Sequence, residues 1–166
     1  MKRGVQGAAM VAFNDALYVL GGYDRSVAVS TVQKYSLADQ MWSDSPRGYV
    51  PELPYRVFSH AALQYRNGIV VCGGSIRDNG KWAHKSRCLR FDPDSKHWEK
   101  LGSQGRMVTS RAWLQLVEWR QSLWAIGGEG CGTYTRCQVE TFQDGHWTVV
   151  DYAANLSLAF FAAVVV

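Results

Sequence analysis

The chain has 166 residues, 47 % apolar and 19 % charged, a balance that excludes a disordered segment and suits one globular domain. Its net charge of +4 comes from 18 Lys and Arg residues scattered along the sequence, without the stripe or basic helix of a nucleic-acid footprint. Sixteen Gly, four Pro, seven Trp and eight Tyr point to tight turns between aromatic-rich strands.

From the N-terminus, Met1-Lys2-Arg3 leads into a short apolar stretch that resembles a secretory leader, but Asn14-Asp15 interrupts it and an internal repeat absorbs all of it. That repeat first shows at Leu17–Gly22, "LYVLGG", and returns at Ile69–Gly74, "IVVCGG", and Leu123–Gly128, "LWAIGG". The first glycines stand at 21, 73 and 127, a period of 52 and then 54 residues. After each pair comes an aromatic residue and then a tryptophan: Tyr35 with Trp42, Phe91 with Trp98, Phe142 with Trp147. The third spacing is shorter because Asp144-Gly145 forms a two-residue hairpin turn where the second unit has the longer Asp92–Lys96. Before each pair the sequence predicts a strand with a small residue, Ala8-Ala9, Ala61-Ala62 and Ala112-Trp113, and Ala162-Ala163 starts a fourth.

Each unit is predicted to hold four short antiparallel strands. In the second they cover Ser59–Tyr65, Gly68–Cys72, Arg87–Phe91 and Trp98–Leu101, with Asn67-Gly68 turning the first hairpin. One such sheet cannot bury both faces, so the units must stack as propeller blades do. The double glycine then marks a bulge or a close backbone approach, and each Trp packs on an adjacent blade.

The double glycine followed by Tyr/Phe-x6-Trp resembles the kelch repeat, over essentially the whole chain. The resemblance implies an all-β, kelch-type β-propeller, here partial: three four-stranded antiparallel blades (about 3–54, 55–105 and 106–153) and one extra strand (156–166) of a fourth. Kelch propellers usually have five to seven units, so the expectation is a piece or short form of a longer protein. Self-association of two copies to complete one ring is the rival.

Four cysteines, Cys72, Cys88, Cys131 and Cys137, show no Cys-x-x-Cys spacing. A zinc site or disulfide framework is not expected; Cys72 reads as a small buried hydrophobe, and the chain as reduced and cytoplasmic. The apolar run 156–166 is too short for a membrane-spanning helix, and no membrane association is expected.

Repeat position accounts for His60, His97 and His146 as structural residues, and no hydrolase, metalloprotease or phosphate-loop motif is present. Nothing matches the Tyr–Cys cofactor and copper ligands of the kelch-like galactose oxidase. No enzyme activity, cofactor or metal is expected.

Function is expected in the loops. The resemblance implies that the segments after the double glycines, and those joining repeats, line the partner face. Arg25 and Tyr134 stand in the first and third of the former. The second holds Arg77, Lys81, Trp82, His84 and Lys85 against Asp78 alone, and Arg106 follows in the next inter-repeat segment. This points to a protein partner, specifically an acidic peptide. Many kelch propellers serve as substrate receptors of BTB–kelch adaptors in cullin-based ubiquitin ligases, which makes that role the specific expectation. Cytoskeletal scaffolding of the actin-binding kind is second, and a copper oxidase third.

Overall fold

The computed structural model describes residues 1–44, 49–78, 80–130 and 138–150, and among these all regular structure is strand. The first blade is β1 (Ala9–Phe13), β2 (Ala16–Leu20), β5 (Val32–Ser36) and β6 (Met41–Asp44), in that spatial order. A two-stranded ribbon, β3 (Tyr23–Asp24) with β4 (Val27–Ala28), projects between β2 and β5. The second blade repeats the plan with β7 (Ala61–Tyr65), β8 (Gly68–Cys72), β11 (Cys88–Asp92) and β12 (His97–Lys100). Its ribbon is β9 (Ser75–Asp78) with β10 (Lys81–His84). The third blade is β13 (Gln115–Trp119), β14 (Ser122–Ile126), β15 (Glu140–Gln143) and β16 (His146–Val149). All pairings within the blades are antiparallel. The segments expected as open loops after the first two double glycines are therefore hairpins. The strand expected at 156–166 lies outside the described residues.

Blades meet through their first strands, β1 against β7 and β7 against β13. The "GIVVC" run of β8 shows why the middle blade needs two neighbours. All five residues are buried, and the two-residue period sends Ile69 and Val71 towards the first blade, Val70 and Cys72 towards the third. Ile69 and Val71 join Phe13, Tyr18, Leu20 and Phe91 in one core; Val70 and Cys72 join Leu116, Leu123, Phe142 and Trp147 in the other.

The double glycines are required by two constraints at once. Gly21, Gly73 and Gly127 have φ of 58°, 70° and 63°, and Gly22, Gly74 and Gly128 have φ of 107°, 93° and 103°, where side chains are strained. A Cβ on Gly21 would stand 2.6 Å from the Val57 carbonyl oxygen, and one on Gly73 2.6 Å from that of Arg111. The same close approach lets the Gly22 N–H donate to Val57 O (2.8 Å) and the Gly74 N–H to Arg111 O (2.8 Å), sewing each blade to the next.

The aromatic–Trp pairs are cross-strand partners in every blade: Tyr35 opposite Trp42, Phe91 opposite Trp98, Phe142 opposite Trp147. Their ring centroids lie 5.1, 5.6 and 5.4 Å apart, so turn length absorbs the spacing difference and geometry is preserved. Trp147 is buried, whereas Trp42 and Trp98 are half-buried. The indole of Trp98 donates to Pro51 O, on the segment that joins the first two blades.

Two expectations need correction. Cys72 and Cys88 form a disulfide, because β8 and β11 place them directly opposite each other with Cα atoms 4.2 Å apart. Cys131 and Cys137 lie outside the described residues. Ala112 is not the counterpart of Ala61. It bridges Glu129 as Gln6 bridges Tyr23 and Phe58 bridges Ser75, so Gln115 starts the third blade's first strand.

Buried polar side chains anchor the incoming segments. Gln33 on β5 accepts from the Arg3 N–H (3.0 Å) and donates to Arg3 O (2.9 Å). At the same place in the third blade, Glu140 accepts from the N–H groups of Val108 (2.7 Å) and Thr109 (3.0 Å). Its charge is matched by Arg111, whose Nη2 lies 2.5 Å from Oε1 and whose Nη1 donates to Gly127 O and Gln138 O.

Candidate functional site: the ribbon end of the blades

The β3–β4 and β9–β10 ribbons rise from the ends of β2 and β8, and the segments joining blades pass beneath them. β4 packs against β9, so the two ribbons form one surface. Five aromatic rings run across it. Tyr23 lies 5.7 Å from Trp82 and 5.4 Å from Phe58, Phe58 lies 5.2 Å from Trp82 and 6.4 Å from Trp113, and His84 lies 6.0 Å from Trp113. Trp82 stays 53 % exposed, which leaves much of a large amphipathic ring available for contact. The Arg77 guanidinium sits over that ring, 5.5 Å from its centroid, and is thereby held in place.

Beside this platform, between the first two blades, lies a groove of about 360 Å³. Val27, Ala28 and Ile76 supply apolar lining, Arg56, Arg77, Lys85 and Arg87 supply four cations, and none of the lining residues is acidic. The Arg87 guanidinium packs 4.7 Å over the Tyr55 ring. The Tyr55 hydroxyl is buried and has no hydrogen-bond partner among the described residues. Its pKa is pushed up to about 12 by burial, against the pull of Arg87, so it is a neutral donor at physiological pH. A groove with four cations and no acid suits a carboxylate.

Of the residues expected from the sequence, Arg77 and Lys85 line this groove and Trp82 forms the platform. Lys81 is exposed near the tip of the β9–β10 ribbon. His84 is turned inward, with Nδ1 2.8 Å from Ser75 Oγ and its ring against Trp113, so it supports the ribbon. Arg25 stands apart, at the turn of the first ribbon in a shallow indentation with Lys2, Arg3 and Asp24. Arg106 is exposed and its backbone bridges Arg87. Tyr134 lies outside the described residues. Sequence reasoning placed Tyr23 and Tyr55 in segments expected to line the partner face without singling them out, and it missed Arg56, Arg87 and Phe58 as members of this surface. Arg87 served there only as the start of a strand.

Among the described residues, no group of three or more His, Cys, Asp or Glu is arranged to hold a metal. No described helix is long and apolar enough to cross a membrane. His97 and His146 each donate from Nδ1 to a turn carbonyl, Ser95 O and Asp144 O, and His60 is buried between blades.

Stacked four-stranded antiparallel sheets joined through their first strands define the β-propeller class. The chain superposes on a solved structure titled "Structure of YjhT" with a TM-score of 0.69 and 19 % identity, over 90 % of this chain and 46 % of that one. The Kelch motif family model matches residues 6–47. Kelch-like protein 36 of Bos taurus is 28 % identical over 119 residues, 72 % of this chain and 18 % of the relative. Beta-scruin of Limulus polyphemus is 32 % identical over 123 residues, 72 % of this chain and 13 % of the relative. Kelch repeat and BTB domain-containing protein 12 of Danio rerio is 26 % identical over 139 residues, 78 % of this chain and 21 % of the relative. The chain belongs to the kelch-repeat β-propeller family. It spans about a fifth or less of the length of these curated relatives.

Proposed function

We propose that the chain is a protein-recognition module whose ribbon end takes an extended acidic segment of a partner. The observation that carries this reading is the groove between the first two blades, with four cations and no acid, beside the exposed Trp82. An acidic side chain entering the groove meets Arg56 and Arg87, while Trp82 and Arg77 cover its neighbours along the chain. The expected Arg77, Lys85 and Trp82 take part directly; Lys81, Arg25 and Arg106 contribute long-range positive potential that steers the encounter.

The specific role we infer is substrate reception for a BTB-type ubiquitin-ligase adaptor, the role that the kelch resemblance implies. One relative's own name pairs kelch repeats with a BTB domain. Binding, not catalysis, is the function proposed. We further propose that two copies of the chain associate blade to blade. A light-scattering mass of twice 18.6 kDa supports this association, and a monomer contradicts it.

Fluorescence anisotropy with a labelled Glu-rich nonapeptide tests the recognition reading. Binding should weaken about tenfold between low and physiological salt, and a Lys-rich peptide of equal length should not bind. Equal binding of both peptides contradicts it.

A further inference from the structure

The opposite end of the blades carries a second, larger cleft. It lies between the second and third blades, has a volume of about 760 Å³, and is lined by Arg66, Arg90, Arg120, Ser122, Gln143 and Asp144 among others. Arg90 is already matched, with Nη1 3.0 Å from Glu99 and 3.7 Å from Asp92. Among the described residues, neither Arg66 nor Arg120 forms an ion pair.

Both arginines occupy the first position of equivalent two-residue turns, β7–β8 and β13–β14, and both have left-handed backbones, with φ of 53° and 49°. Asn or Gly adopts that conformation at lower cost, and the first blade has Asn14 there. The matching positions place one arginine from each of the two blades in the lining of the cleft. Each guanidinium is also preorganised on a ring, Arg66 at 5.1 Å from the Tyr65 centroid and Arg120 at 4.4 Å from that of Trp119. The Tyr65 hydroxyl donates to Gln121 O (3.0 Å), which ties the two arginine-bearing turns together across the blade boundary.

We propose that this cleft binds a small polyhydroxylated phosphate monoester. Two unmatched guanidinium forks suit a group of nearly two negative charges with several acceptor oxygens. The volume is that of a small-molecule site and exceeds what a free phosphate fills. Asp144, with Ser122 and Gln143, lines the same cleft; its carboxylate repels the anion and accepts from hydroxyls, so it sets the polyol end of the ligand. The site is independent of the ribbon-end groove and shares no residue with it.

Isothermal titration of the full chain with glucose 6-phosphate, inorganic phosphate and glucose tests the assignment. Glucose 6-phosphate should bind saturably and about tenfold tighter than either of the others. Arg66→Ala with Arg120→Ala should weaken it about 30-fold, while Arg77→Ala on the ribbon end should change it less than about twofold. Both arginines are exposed, and an unchanged melting temperature shows that the double variant folds. Absence of saturation at about 10 mM, equal affinity for inorganic phosphate, or equal loss in Arg77→Ala overturns the proposal.

Discussion

Arg111 Nη2 lies 2.5 Å from Glu140 Oε1, and neither side chain reaches solvent. The pair closes the segment that enters the third blade, because Glu140 holds the Val108 and Thr109 N–H groups while Arg111 holds two carbonyls. Burial pulls the Arg111 pKa down from its usual value, and the Glu140 charge and hydrogen bond oppose that pull. Removing either partner by Arg111→Ala or Glu140→Ala should cost about 3–5 kcal/mol in urea unfolding, because one buried charge is left alone. The double change Arg111→Met with Glu140→Leu should cost much less than the two single losses added together.

Acid should destabilise the protein through His60. Burial lowers its pKa from 6.5 to about 4, so between these values the unfolded chain binds the proton and the folded chain does not. The sign follows: stability is full above pH 6.5 and falls as pH drops towards 4, by roughly 3 kcal/mol from this group. The third blade carries Leu114 at the same distance before its double glycine. His60→Leu should flatten the slope of the urea midpoint between pH 6.5 and 4, and an unchanged slope would show that other groups cause it.

The Cys72–Cys88 disulfide links residues 16 positions apart and so encloses the whole β9–β10 ribbon. In the chain-entropy model such a link adds about 3 kcal/mol to stability. Melting with and without reductant should therefore differ by several degrees, and the Cys72→Ala, Cys88→Ala variant should melt near the reduced protein. Equal melting of oxidised and reduced protein would contradict this.

The two constraints at the double glycines separate in mutants. Gly73→Ala meets both a positive φ and the Arg111 carbonyl at 2.6 Å, so it should cost more than about 2 kcal/mol. Gly80→Ala meets a positive φ but open space, and should cost only about 1 kcal/mol. Thermal unfolding of the two variants checks the difference.

The blade plan is legible in the sequence because it is carried by local signals. Gly73-Gly74 and the Phe91–Trp98 spacing each report a backbone need or a cross-strand contact within one unit. Ala112 misleads because small residues are wanted both at a strand start and at the bridge to Glu129, and composition does not distinguish the two. The disulfide is hidden because Cys72 meets Cys88 only through the β8–β11 register, which depends on the length of an intervening hairpin. The groove is harder still. Tyr55 and Arg56 precede the second blade, Arg87 follows its ribbon, and Val27 and Ala28 come from the first ribbon. Only the packing of one blade on the next brings them together.

The ribbon-end groove is tested most directly by measuring the acidic nonapeptide against two double variants at opposite ends of the blades. Arg56→Ala with Arg87→Ala should weaken binding at least about 30-fold, whereas Arg66→Ala with Arg120→Ala should leave it within about twofold. Equal loss in both variants would reduce the effect to net charge, and no loss in the first would remove the groove as the recognition site.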